Sequence, residues 1–408
     1  MITEFSIKNF LSFKNTITFS MLATSSSGLD DNYIRIEDKK ILKSSAIYGA
    51  NASGKSNIFK VLSIVVSMLK DSNNININDK LPIVPFKLSK ETDNSPSEFE
   101  IKFIIEKIKY VYGFSADENK IYEEYLYYYP NGRETKIFDR SDTDKYSFPQ
   151  KDEKILRDIE IKNASNKFFL ATATTWNYEK TKLPYMFLTK TINIFSNINE
   201  LRMSSAREYI KNENNLRDFA LEFLSKADFN IIDYRVIETT LPKEILEGLP
   251  DALKKDIKSI PMVTNVLIKH KNSDTYLTLK EESMGTQIMF FFIPFINDAL
   301  HNQRVIVVDE LDRSLHPYLV ELIVQIFNDS TINKNGAQLI FNTHDTNLLN
   351  LNLLRRDQIW FTEKDNDTGI SNLYCLNDFS VRKQENIEKG YILGRYGAVP
   401  LIKNDLNL

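Results

Sequence analysis

The sequence has a single cysteine among 408 residues, Cys375. That excludes an intrachain disulfide and any cysteine-built zinc cage, and it fits a reducing compartment. Histidines number four, and His270, His301 and His316 show no spacing that would supply the third ligand of a metal site. Glycine and proline, 12 of each, are far too few for a collagen-like or low-complexity chain. Long apolar runs are missing too. The longest, Met289 to Ile296, contains Pro294 and is less than half of the ~20 residues that a membrane helix requires. The opening MITEFSIKNFLSF carries Glu4 and no apolar stretch of signal-peptide length. Nor is there an excess of charge of either sign: 52 Lys and Arg stand against 55 Asp and Glu, so global attraction to nucleic acid or to an anionic membrane is not indicated. A soluble, cytoplasmic protein without a membrane partner is expected.

What the chain does have is material for a core. Its apolar fraction of 42% and charged fraction of 26% are those of a folded protein. The length is two to three times that of a ~150-residue domain, which suggests a main body with one sizeable insert. Ile2 to Phe13 and Asn15 to Met21 alternate as a strand and its hairpin partner. Ser45 to Tyr48 is a short apolar strand, and Asn57 to Lys70 has the spacing of a buried helix. The Asn-rich stretch Asp71 to Lys80 reads as an exposed loop. Phe99 to Phe138 reads as an antiparallel meander with turns at Ala116–Asn119 and Pro130–Gly132. From about Lys151 to Ser259 the pattern becomes mostly helical, for instance over Asn215 to Ala227, with 18 basic and 17 acidic residues. Strands return over Val263 to Lys280, followed by an apolar helix, Met284 to His301, and apolar strands at Arg304–Val308 and Ala337–Asn342.

Gly49-Ala50-Asn51-Ala52-Ser53-Gly54-Lys55-Ser56 satisfies GxxxxGK[ST] and stands between the predicted strand and the predicted helix, as a phosphate-binding loop requires. Glycines let successive N–H groups point at an anion, and the helix N-terminus adds partial positive charge. Lys55 would bridge the β- and γ-phosphates, and the Ser56 hydroxyl would ligate Mg²⁺, with Asn57 opening the helix. The other reading is an ordinary strand-to-helix turn. Val305 to Val308 ends in Asp309-Glu310, where Asp309 would hold Mg²⁺ and Glu310 would act as general base on water. Two acids solvating a strand end are the plainer alternative. Glu282-Ser283-Met284-Gly285-Thr286-Gln287 opens the helix ahead of that strand, and Asn342-Thr343-His344-Asp345 ends the next one. Taken alone, Ser283 is also a good helix N-cap.

The set GANASGKSN, ESMGTQ, VIVVDELDRSLHP and FNTHD resembles the RecF/SMC-like branch of ABC ATPases. It is most similar to the AAA-like ATPases of bacterial phage-defence and abortive-infection operons, and IKNFLSF and YILGRYGAVP are similar to that group as well. The resemblance implies an α/β fold: an ABC-type ATPase head with a mixed central sheet and an antiparallel β subdomain, plus an inserted, mostly helical domain. Residues 1–150 would be the N-terminal lobe, 151–260 the insert and 261–408 the C-terminal lobe. It implies ATP and Mg²⁺ as ligands, and a homodimer or higher homo-oligomer in which Ser283 and Gly285 contact the γ-phosphate held by the other protomer. His344 would be the switch histidine, touching the γ-phosphate or the attacking water, and His316 would shape the dimer-facing loop. Two departures stand out. In Asn9-Phe10-Leu11-Ser12, Leu11 replaces the arginine common in the corresponding strand of that group, with Lys14 as the candidate substitute, and no glutamine occurs between Asn57 and Pro149 to link Mg²⁺ to an attached arm.

Three functions follow as expectations. The first is an ATP-hydrolysing switch that controls a separately encoded effector of nuclease type in anti-phage defence. A nuclease within the chain is not expected, since about 64 residues follow His344 and Asp365-Asn366-Asp367 reads as a polar turn before Gly369. The second is a DNA-repair or chromosome-type ATPase that binds DNA through Arg202, Arg207, Lys211 and Arg217. For those four a solvated helix face paired with Glu208, Glu213 and Asp218 is the favoured reading. The motor subunit of a transporter is the weakest.

Overall fold

The computed structural model describes residues 1–26, 28–201, 203–211, 213–227, 229–240, 262–382 and 385–400. They fall into two compact units. The first comprises Met1–Ser196, Ala299–Leu311 and Ile323–Leu408, and the second Asn197–Asp298 and Asp312–Leu322.

Along the chain, the first unit begins with β1 (Ile2–Lys8), β2 (Ile17–Ser20), β3 (Tyr33–Ile36), β4 (Lys39–Leu42) and β5 (Ser44–Gly49), then helices α1 (Lys55–Asp71) and α2 (Lys90–Asp93). Strands β6 (Ser97–Ile105), β7 (Ile108–Ala116), β8 (Ile121–Tyr129), β9 (Thr135–Ser141) and β10 (Lys145–Ser147) follow, then α3 (Glu153–Glu160), α4 (Phe169–Thr175), α5 (Glu179–Met186) and β11 (Ile192–Phe195). The second unit contributes α6 (Arg207–Lys211), α7 (Glu213–Lys226), β12 (Ile231–Thr240), β13 (Met262–His270), β14 (Tyr276–Thr278) and most of α8 (Met284–Asn302). The chain continues with β15 (Val305–Val308), α9 (Pro317–Asn328), β16 (Gln338–Asn342), β17 (Ile359–Lys364), β18 (Ser371–Cys375) and α10 (Ile387–Ile392).

Among the described residues, β10-β9-β8-β7-β6-β1-β2 form one sheet, antiparallel throughout. The central sheet has the order β11-β15-β16-β5-β17-β18, parallel except for its last edge pair. This is the mixed α/β architecture expected. Strands such as Val305-Ile306-Val307-Val308 are buried at every position, as a parallel sheet covered on both faces demands. In α1, Ile58, Val61, Leu62, Val65 and Leu69 recur at helical spacing. They join Phe5, Phe19, Phe99 and Phe103 of the antiparallel sheet to Ile47, Val307 and Ile340 of the central one in a single apolar cluster. Cys375 belongs to it, and burial pushes its thiol up to about 12, so it stays protonated and unreactive at neutral pH.

Several sequence expectations need adjusting. Strand β1 stops at Lys8 because Asn9 and Leu11 adopt left-handed backbone conformations. The Asn9 carboxamide instead holds the carbonyls of Thr92 and Ser95, at 2.9 and 2.8 Å. The stretch read as helical contains α3 to α7 but also β11 and β12, the latter rich in β-branched residues (Ile231-Ile232, Val236-Ile237, Thr239-Thr240). Residues 241–261 of that stretch lie outside the described residues, as does Arg202. Arg207 is paired with Glu238 at 2.9 Å and Arg217 with Asp233, both acids of β12. Among the described residues no helix is long and apolar enough to cross a membrane.

One polar cluster is buried within the first unit. Glu124 of β8 accepts from Phe169 N at 2.6 Å, Leu170 N at 2.9 Å and Tyr112 Oη at 3.1 Å, and so caps the N-terminus of α4. Arg140 of β9 stands 3.7 Å from it and donates to the carbonyls of Thr143, Lys167 and Ser165 at 2.5, 2.8 and 3.0 Å. Neither side chain reaches solvent. Burial raises the Glu124 carboxyl above its usual range, against the pull of Arg140. Removing one member leaves the other charge buried without its counterpart. Arg140→Met is therefore expected to cost about 3–5 kcal/mol in urea unfolding, and a loss below about 1 kcal/mol would show that the cluster is not a stabilising anchor.

Candidate active site

Parallel pairing brings the carboxyl ends of the central strands to one edge of the sheet, where ligands of open α/β sheets bind. Val308 is in register with Phe341, Asn342 with Ile47, and Thr362 with Gly49. The loop Gly49–Ser56 leaves this edge and enters α1 through Gly54, whose φ of 116° is in the region that favours glycine. Asn51 is exposed at the loop's tip, whereas Ser53 and Lys55 are buried. The Lys55 ammonium donates to Gly49 O at 2.7 Å and Ala50 O at 3.0 Å, which places the cation inside the curl of its own loop. Asn57, in the first turn of α1, donates to Ser12 Oγ at 2.8 Å.

Ser56 Oγ donates to Asp309 Oδ1 at 3.0 Å, joining residues that are 253 positions apart. A hydroxyl and a carboxylate side by side are hard oxygen donors, and this donor set fits Mg²⁺. The same Asp309 oxygen accepts from Asn342 Nδ2, while Asn342 Oδ1 accepts from Glu310 N at 2.6 Å. One fully buried carboxamide thus spans both acidic residues. Glu310 has a φ of 55°, uncommon for a residue with a side chain, and its carboxylate leaves the strand end at a sharp turn.

His344 is exposed one residue beyond Thr343, which donates from its N–H to Ile47 O at 3.3 Å. Asp345 N donates to Thr343 Oγ1 at 2.9 Å, and Tyr48 Oη donates to Asp345 O at 3.3 Å, tying the His344 segment to β5 beside the loop. Asp365 accepts from Thr368 N at 2.7 Å, so its carboxylate is used within the turn.

Ser283 and Gly285 belong to the second unit. Exposed Ser283 accepts from Thr286 N at 3.2 Å and caps the N-terminus of α8; a Cβ on half-buried Gly285 would approach Ser314 O to 3.3 Å. His316 Nδ1 accepts from Tyr318 N at 3.3 Å at the start of α9. Within the first unit, then, Gly49, Ser53, Gly54, Lys55, Ser56, Asn57, Asp309, Glu310 and His344 follow the ends of adjacent strands. Lys14, the candidate substitute for the arginine that Leu11 replaces, is paired with Glu91 at 3.1 Å.

Sequence reasoning assigned no task to Asn342. The signal was present as a polar residue closing an otherwise apolar strand one step before Thr343-His344, but its partners become visible only when β15 and β16 are side by side.

A glycine loop entering a helix, an acidic strand end on its hydroxyl, and a parallel sheet presenting both define the class of P-loop ATPases. The chain belongs to the family described as "AAA domain, putative AbiEii toxin, Type IV TA system", which matches residues 44–350, and it is an ATPase of that family. No curated protein matches the sequence. Among solved structures, the SMC head domain from Thermotoga maritima is similar over 92% of this chain and 98% of its own, at 13% identity and a TM-score of 0.44. An Smc head domain with an extended coiled coil from Pyrococcus furiosus, bound to the C-terminal domain of ScpA, is similar over 97% and 98%, at 14% identity and a TM-score of 0.42.

The Asn342 clamp yields a test. Asn342→Leu keeps the volume but removes both bonds, and turnover of ATP is expected to fall by about tenfold or more, the scale of a lost buried hydrogen bond. Asn342→Asp sets a like charge beside Asp309 and should do more damage. Wild-type turnover in both variants would show that the clamp has no part in hydrolysis.

Proposed function

We propose that the protein is an ATP-driven switch that dimerises around nucleotide and controls a separately encoded effector of nuclease type in defence against phage. The observation that carries the reading is the hydrogen bond from Ser56 to Asp309, held from the other side by Asn342. It unites the end of the glycine loop with the acidic strand as a nucleotide site needs.

In this reading Lys55 leaves the carbonyls of Gly49 and Ala50 to bridge the β- and γ-phosphates, and the N–H groups from Asn51 to Ser56 surround the β-phosphate. Ser56 and Asp309 would hold Mg²⁺, which supplies charge neutralisation on the phosphates. Glu310 accepts a proton from the attacking water, with its backbone fixed by Asn342. His344 contacts the γ-phosphate or that water. Ser283 and Gly285 at the N-terminus of α8 offer a hydroxyl and N–H groups to the γ-phosphate held by the second protomer. The family description, which names a toxin–antitoxin system, supports a role in abortive infection. Direct DNA binding gains no support from Arg207 and Arg217, since each is paired with a carboxylate of its own unit.

Two experiments separate the parts of this proposal. Lys55→Ala is expected to lose ATP affinity, whereas Glu310→Gln should bind ATP, hydrolyse it roughly 10²-fold or more slowly, and accumulate as a nucleotide-bound dimer in light scattering. Unchanged affinity in the first or wild-type turnover in the second would move the site elsewhere.

The composite arrangement is tested with a heterodimer of one Lys55→Ala protomer and one Ser283→Arg protomer. An isologous dimer places both defects on one site and leaves the other intact. Activity is expected to recover to as much as half of wild type, although each homodimer is inactive. Recovery absent both in turnover and in trapped single-site nucleotide occupancy would mean that each protomer works alone.

A further inference from the structure

The β17–β18 hairpin meets the glycine loop at both of its glycines. A Cβ placed on Gly49 would stand 2.4 Å from Thr362 O and 2.6 Å from Thr362 Oγ1, and one on Gly54 would stand 2.7 Å from Ser371 Oγ. At Gly49 such a distance cannot be accommodated by a small shift, because the Thr362 carbonyl is part of a central-sheet strand. Gly49 is therefore required by the strand behind the loop, besides whatever the loop binds.

Between these points lies a buried hydroxyl pair. Ser53 Oγ and Thr362 Oγ1 are 2.6 Å apart, and Thr362 Oγ1 also reaches Tyr48 O at 3.4 Å. If Thr362 gives its proton to that carbonyl, its oxygen accepts from Ser53, and both hydroxyls are satisfied. Ser53 and Thr362 are 2% and 0% exposed, so water cannot replace either partner. The second strand of the hairpin is fastened nearby, since Ser371 N donates to Ser12 O at 2.8 Å.

We propose that Thr362 is a positioning residue for the nucleotide site: through Ser53 and Gly49 it holds the loop in the curvature that receives the diphosphate portion of a nucleotide. The inference rests on the reading of Gly49–Ser56 as the nucleotide loop. Thr362 touches no reacting atom, and its effect is on affinity.

Calorimetric titration with ATP and with ADP, together with steady-state ATPase measurements, tests this on the full chain. Thr362→Val retains the shape and removes the hydroxyl. Affinity for ATP and ADP is expected to fall together, by about tenfold, with kcat within about twofold of wild type, and Thr362→Ser should restore affinity. Ser53→Ala removes the same bond from the other side, and adding it to Thr362→Val should cost little more than either change alone. Should Thr362→Val fail to fold, Ser53→Ala carries the affinity test. Unchanged affinities, a fall in kcat without one in affinity, failure of Thr362→Ser to restore binding, or fully additive losses would each overturn the proposal. Lys55→Ala separates the two levels. If it abolishes ATP binding while Thr362→Val does not weaken it, only the role of Thr362 fails; if Lys55→Ala binds normally, the reading of the loop fails with it.

Discussion

Asn342 reaches Asp309 and Glu310 only because β15 and β16 run parallel and in register, with Asn342 one step past the Val308–Phe341 pair. Its carboxamide then binds one carboxylate and one backbone N–H, and through the carboxylate it is linked to Ser56 at the start of α1. Three segments distant in sequence are held by one uncharged side chain in a place that water does not enter. A charged residue there would bring its own desolvation cost and shift the electrostatics of its neighbours. An amide supplies a donor and an acceptor at fixed spacing and does neither.

The chemistry at this edge has a division of labour. Lys55, Ser56, Asp309 and Glu310 carry charge or lone pairs toward the space above the strands. Asn342, Thr343, Ser53 and Thr362 are buried and spend their hydrogen bonds on the first group, on one another or on nearby backbone. Glu310 in a left-handed conformation illustrates why the second group matters, since an uncommon backbone geometry persists only where its surroundings determine it.

Local signals in the sequence were strong where one element suffices. The strand, glycine loop and helix from Ser44 to Asp71 could be read from an apolar run, the four fixed positions of the glycine loop and a helical repeat, and the meander from alternation and turn residues. Sheet order could not be read, because the parallel strands β5, β15 and β16 are buried at every position and their pattern does not specify a neighbour. β11 illustrates this: Ile192–Phe195 is too short to stand out from the helical segments around it, yet it pairs with β15 at the edge of the central sheet. Asn342 and Thr362 were hidden for a related reason. A polar residue at the end of a strand acquires meaning from what lies across the ladder, and the partners Asp309 and Ser53 are far away along the chain.

The position of β5 also bears on how the chain reaches this state during synthesis. It is completed at residue 49, but the strands that flank it, β16 and β17, begin at residues 338 and 359. At ~5–20 residues per second, a ribosome needs on the order of tens of seconds to deliver them. Throughout that interval an apolar strand has two open edges, next to an antiparallel sheet that can pair from its own consecutive strands. The late pairing is a high-contact-order step, slow by nature and exposed to intermolecular pairing. Translation speed and chaperone supply thereby become determinants of how much active ATPase a cell obtains from this chain.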